Sequence, residues 1–186
     1  EKLLGLGSLN KLNVLYLSNF IKTKGYQEVL QLALITKERK GSFHFHFAGK
    51  FFDKEDENFF FSYINTHDLS HYVTFHGVVS GDKKTKLLDI CHIFILLTRY
   101  PNEGQPISIL EAMGNAMAIV TTNHAGIKDV VCGEWNGMVI DKNRIDFDLI
   151  YNYMCSLLHD IRELVKIGDT NYRTVKSFYL EKRYIS

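Results

Sequence analysis

The sequence holds little of what would mark a specialised class of protein. Its net charge is only +1, so no excess of either sign points to a polyanion such as nucleic acid. Cysteine is scarce: Cys91, Cys132 and Cys155 are odd in number, widely spaced and in no metal-like pattern. That excludes a disulfide scaffold and reads as reduced thiols of a cytosolic protein. No apolar run approaches the roughly 18 residues that a bilayer span needs. The strongest candidate, Ile90 to Leu97, is interrupted by Cys91 and His92 and is strand-sized. Proline occurs only twice, and no repeat, low-complexity tract or linker lies between Asn13 and Ser177. Glu1 to Asn10 has neither the basic start nor the cleavage site of a signal peptide.

What is present suits one domain with a full core: 186 residues, 46% hydrophobic and 23% charged. Short apolar runs at Asn13–Leu17, Phe43–Ala48, Val73–Phe75, Ile93–Leu96, Ala118–Thr121 and Gly137–Ile140 predict strands. Helical patterns fall at Tyr26–Lys40, Lys54–Asn65, Lys83–Asp89, Ile107–Asn115, Ile127–Val131, Phe147–His159 and Arg162–Ser177. Strict alternation of the two predicts an α/β fold, a parallel sheet with helices on both faces. Val14 to Leu17 and Ile93 to Leu97 are apolar throughout, as strands buried on both faces are. Residues 1–12 read as the remnant of a linker and residues 13–186 as the domain, so the chain is expected to be a fragment of a longer protein.

In such sheets a ligand sits in the crevice at the carboxyl ends of the strands. The loops leaving those ends are Ser18–Gly25, Gly49–Asp53, His76–Gly81, Thr98–Pro106 and Thr122–Gly126. The most informative stretch runs from Tyr100 to Met113. Pro106 suits a first helical position, and the free amides of Ile107 and Ser108 would then offer a seat for phosphate at a positive dipole end. Gly104 allows close backbone approach to a ligand. Glu111 falls in the otherwise apolar or small stripe Ile107, Leu110, Glu111, Gly114, and leans back toward the loop that carries Glu103. A carboxylate there needs a partner: ribose hydroxyls would serve, and so would a neighbouring lysine or backbone amide.

Glu103 and Glu111, with seven residues between them and an intervening Gly-x-Pro, resemble the Glu-x7-Glu motif of family 4 retaining glycosyltransferases. The resemblance extends over about Asn13 to Ile185. Val14–Gly25 is similar to the first strand and phosphate loop of that family's donor domain, and Phe45–Gly49 to its second strand. Val73–Val79 matches its Val-x-Phe-x-Gly strand, Thr122–Val131 its later glycine-bearing turn, and Ser177–Lys182 its end. The resemblance implies a Rossmann-like three-layer domain, the C-terminal half of the two-domain GT-B fold. It implies that Glu103 holds donor-sugar hydroxyls, helped by backbone amides of Gly104, Gln105 and Ile107 around Pro106, with Ser108 in the same helix start. Glu111 would hold the ribose, Lys24 would neutralise the diphosphate and stabilise the leaving group, and Gly49, Val78 and Val79 would line the nucleotide. The donor would be a UDP-, GDP- or ADP-sugar, with no metal and no other cofactor. The acceptor, a glycan or lipid-linked molecule, would be held by an N-terminal half outside this chain, in the cytoplasm or at the inner face of a membrane. The chain departs from the family at Asn19, where many members have arginine, and at Thr23, where they are acidic. Ala116, Ala118 and Ala125 stand where glycine or proline is usual.

Other features have plainer readings. His44 and His46 share a strand face without an identifiable third metal ligand, and read as satisfied strand histidines. Asp146-Phe147-Asp148 reads as a helix cap rather than a metal-binding Asp-x-Asp. Lys83, Lys84 and Lys86 read as a solvated helix face, with membrane-surface contact as the alternative. Phe51, Phe52, Phe59, Phe60 and Phe61 read as partly core, their excess covering an interdomain surface. Competing functions are a nucleotide-sugar isomerase of the same fold, a receiver-like module and a two-carboxylate hydrolase. The receiver lacks its acidic residues, since Ser18-Asn19 and His76-Gly77 stand in their places. A helix-borne Glu111 beside a phosphate seat fits the hydrolase poorly.

Overall fold

The apolar runs assemble into a single six-stranded parallel sheet, in a computed structural model that describes residues 9–104 and 107–179. Its strands are β1 (Leu12–Leu17), β2 (Phe43–Ala48), β3 (Val73–Phe75), β4 (Ile93–Leu96), β5 (Ala118–Thr122) and β6 (Gly137–Ile140). The helices are α1 (Tyr26–Glu38), α2 (Lys54–Thr66), α3 (Gly81–Ile90), α4 (Ile107–Gly114), α5 (Phe147–His159) and α6 (Ile161–Phe178). Strand order is β3-β2-β1-β4-β5-β6, the Rossmann-like α/β arrangement that the alternation of elements predicts. β1 runs in full register beside β2, Leu12 opposite Phe43 through Leu17 opposite Ala48, and beside β4 with Val14 opposite Ile93. It begins at the fully buried Leu12, one residue before its expected start.

Order reverses between β1 and β4. The chain leaves β1 toward β2 on one side and returns from β3 to β4 on the other, and an α/β sheet binds its ligands at the carboxyl ends of the strands where order reverses in this way. α1 and α2 cover the face carrying Phe45, Phe47 and Phe75, where Phe20, Tyr26, Phe51 and Phe60 complete an aromatic cluster. This confirms part of the phenylalanine cluster as core, while Phe52 is largely exposed. α5 packs against α1, and α6 against α4 and β5. The buried Asn171 of α6 donates to the carbonyls of Met117 and Asn136, and its Oδ1 accepts from Asn136, fastening the last helix to β5 and β6.

Two expectations change. Ile127–Val131 is not an α-helix: a short 3-10 turn occupies Ala125–Asp129, and its Ile127 packs on the core together with Val130 and Val131 just beyond it. Lys84 is not solvated with Lys83 and Lys86 but turns inward. The expectation that a helix starts at Pro106 falls on residues outside those described.

Candidate functional site

The site is built where the sheet reverses. After β1 the chain makes a 3-10 turn, Lys22–Lys24, then enters α1 through Gly25. Gly25 has φ of 84°, and a Cβ there would lie 2.5 Å from the carbonyl oxygen of Leu97. Only glycine lets the β1 loop press onto the end of β4 in this way. The Arg99 amide donates to the Thr23 carbonyl (2.8 Å), joining the two loops further.

Across that seam Lys24 meets Glu103. Its Nζ lies 3.2 Å from Oε1 and 3.0 Å from Oε2, with the side chains only 15% and 7% exposed. The Thr98 hydroxyl donates to Glu103 Oε2 (3.0 Å) and accepts from the Tyr100 amide. The hydroxyl of Thr122 donates to the carbonyl of Thr98, so β5 steadies the same turn. The Lys24 ammonium also stands 4.9 Å from the centre of the Tyr100 ring, a cation–π contact. His124, nearly buried, bonds through Nε2 to the Tyr100 carbonyl (2.7 Å) and through Nδ1 to Lys142 Nζ (3.1 Å). Since lysine only donates, Nδ1 accepts and Nε2–H donates.

Glu111, in the second turn of α4, accepts a 2.6 Å bond from Lys84 Nζ of α3. Of the three partners open to it from sequence alone (ribose hydroxyls, a lysine or a backbone amide), the lysine is the one it has here. Gly104 is exposed, with nothing within 4 Å of where a Cβ would stand, and Ile107 is exposed while Ser108 is half-buried at the start of α4. Gln105 and Pro106 lie outside the described residues. Val78 is exposed and Val79 packs on the core, so only the first is free along the loop after β3.

Asn19 is exposed, and its carbonyl accepts from the Tyr16 hydroxyl (2.9 Å). Gly49 holds the loops together: its φ is 149°, a Cβ would stand 1.9 Å from the Ser18 carbonyl oxygen, and its amide donates to the Gly77 carbonyl. Arg99, which no motif singles out, pairs with Glu28 in the first turn of α1.

His44 of β2 is bonded at both ring nitrogens and His46 only at Nδ1, its Nε2 being buried without a partner among the described residues. His44 bonds to Thr74 Oγ1 (2.8 Å) and the His71 carbonyl, and His46 Nδ1 to His76 Nε2 (2.9 Å). Burial, then the neighbouring His44 and His76, bring the His46 pKa down to about 4, and burial lowers that of His76. The pair is therefore neutral at pH 7 and ties β2 to the start of the loop carrying Val78. Asp146 caps α5, its Oδ1 accepting from the Leu149 amide (2.9 Å).

The family model for glycosyl transferases group 1 matches residues 7–174. The chain belongs to that family. No curated protein matches it. Among solved structures it is similar to the C-terminal domain of a glycosyl transferase group 1 family protein, LpcC, from Francisella tularensis. The two are 18% identical over 97% of this chain and 92% of that one, with a TM-score of 0.78. It is similar also to Anabaena Alr3699/HepE in complex with UDP and glucose, 16% identical over 94% of this chain and 46% of that one, TM-score 0.79. A point mutant of S. aureus TarM, in complex with Fondaparinux, alpha-GlcNAc-glycerol and UDP, is 17% identical over 95% of this chain and 35% of that one, TM-score 0.76. The chain thus spans one half or less of those two proteins. At these identities the likeness is one of fold, and it is the fold of GT-B C-terminal domains.

Proposed function

We propose that this chain is the donor-binding half of a retaining glycosyltransferase that moves a sugar from a nucleoside-diphosphate sugar to a glycan or lipid-linked acceptor, in surface polysaccharide assembly at the cytoplasmic face of a membrane. The observation that carries the reading is the Lys24–Glu103 pair at the strand reversal. In the free protein each charge satisfies the other. A donor gives each a better partner: its diphosphate takes the ammonium, and its sugar hydroxyls donate to the carboxylate, which Thr98 keeps in place. The amides of Ile107 and Ser108 at the start of α4 face the same diphosphate, so the scheme needs no metal. UDP is the first nucleotide to try, since the similar Anabaena and S. aureus proteins hold it.

In the transfer, the bond from the anomeric carbon to the β-phosphate oxygen breaks and its electron pair stays on the phosphate. The acceptor oxygen bonds the anomeric carbon, and the acceptor proton passes to the departing phosphate. Negative charge grows on the phosphate as this proceeds, and Lys24 meets it there. The acceptor would be held by a second half of the whole protein.

The test is turnover of UDP-, GDP- and ADP-sugars by the whole protein, with the product anomer read by NMR. Glu103→Gln should slow nucleoside-diphosphate release about 100-fold or more while leaving nucleotide affinity nearly unchanged. The product should keep the donor's anomeric configuration. Equal turnover by the variant, or an inverted product, would contradict the reading.

A further inference from the structure

α3 is a surface helix whose inward stripe starts with a charge. From Gly81 to Lys86 every residue is exposed except Lys84, and Leu87 and Leu88, three and four positions on, are buried. Lysine at the head of an apolar stripe is costly unless its ammonium finds a partner. The partner is Glu111, 2.6 Å away on a different helix, with the two side chains 29% and 32% exposed. The bond goes to Oε1, and Oε2 makes no hydrogen bond to a described residue.

We propose that Lys84 is a positioning residue that sets recognition of the nucleotide's ribose: it fixes the rotamer of Glu111 so that Oε2 faces the cis-diol of the donor. This rests on the reading of Glu111 as the ribose holder. An unpartnered glutamate in the second turn of α4 would swing among rotamers and lose entropy on binding. The Lys84 bond removes that freedom before the ligand arrives. The pairing also leaves a charged acceptor for the diol, and a charge-assisted bond discriminates strongly against a ligand without the hydroxyl.

The experiment is calorimetry on this chain with UDP, GDP and ADP and with the 2′,3′-dideoxy analogue of each. The unaltered protein should bind one ribonucleotide at least about tenfold more tightly than its dideoxy analogue. Lys84→Met should bring the two affinities to within about threefold, chiefly by weakening the ribonucleotide, and Lys84→Arg should restore most of the gap. If Lys84→Met lowers the melting temperature but keeps the gap while Glu111→Gln abolishes it, Lys84 is only a brace between α3 and α4 and the proposal is overturned. A gap that survives Glu111→Gln overturns the ribose reading itself. Should Lys84→Met fail to fold, Lys84→Ala, which also removes the donor, decides the matter: a reduced gap is the expected result and an intact gap overturns the proposal.

Discussion

At the scale of single residues the site depends as much on glycines as on charges. Gly49 was expected in the site, and its backbone shows why a glycine is needed there: any side chain would enter the Ser18 carbonyl. Gly49→Ala should cost roughly 3 kcal/mol from overlap and backbone strain, a fall of about 10 °C in Tm by calorimetry. Alanine stands at two positions with positive φ, Ala116 at 56° and Ala125 at 48°, both where the family resemblance leads one to expect glycine. Each accepts a strain that glycine would not. Ala118, where proline is usual, donates its amide to the His92 carbonyl, a bond proline cannot make. Glu103 and Lys24 were legible because a motif names them. Thr98, Arg99, Lys84 and His124 were not, because nothing local marks them: Lys84 lies 27 residues from Glu111, and its neighbours Lys83 and Lys86 are indeed solvated.

Elements were legible where burial alone decides them. Strands buried on both faces show as unbroken apolar runs, and five of the six start where expected. The 3-10 turn at Ala125–Asp129 reads from sequence as an α-helical turn two residues later, at Ile127–Val131, because one turn of apolar spacing looks the same in either form. α3 begins at Gly81, two residues before the expected start, since neither Gly81 nor Asp82 carries an apolar signal. The pairing of β2 and β3 has a consequence for pH. His46 is held neutral with a pKa of about 4, against an ordinary 6.5, mainly by burial. Below about pH 6.5 the unfolded chain binds a proton that the folded one refuses, so stability falls from there down to about pH 4. The loss attributable to His46 is on the order of 3 kcal/mol. His46→Gln should flatten that part of the Tm profile between pH 7 and pH 4.5; an unchanged slope would assign the loss to other groups.

At the scale of the whole molecule, the parallel sheet brings the carboxyl ends of its six strands to one side, and its order reverses between β1 and β4. Lys24, Glu103 and the start of α4 gather there because β1 and β4 are neighbours in space though their carboxyl ends, Leu17 and Leu96, are 79 positions apart in sequence. That adjacency follows from strand order, which alternating elements imply as a class but do not spell out. The measurement that tests the central claim most directly is calorimetric titration of the folded chain with UDP, GDP and ADP. The account predicts that one of them binds and that Lys24→Ala weakens it at least about tenfold, since the diphosphate loses its cation. Binding of none of the three, with the domain demonstrably folded, would contradict it.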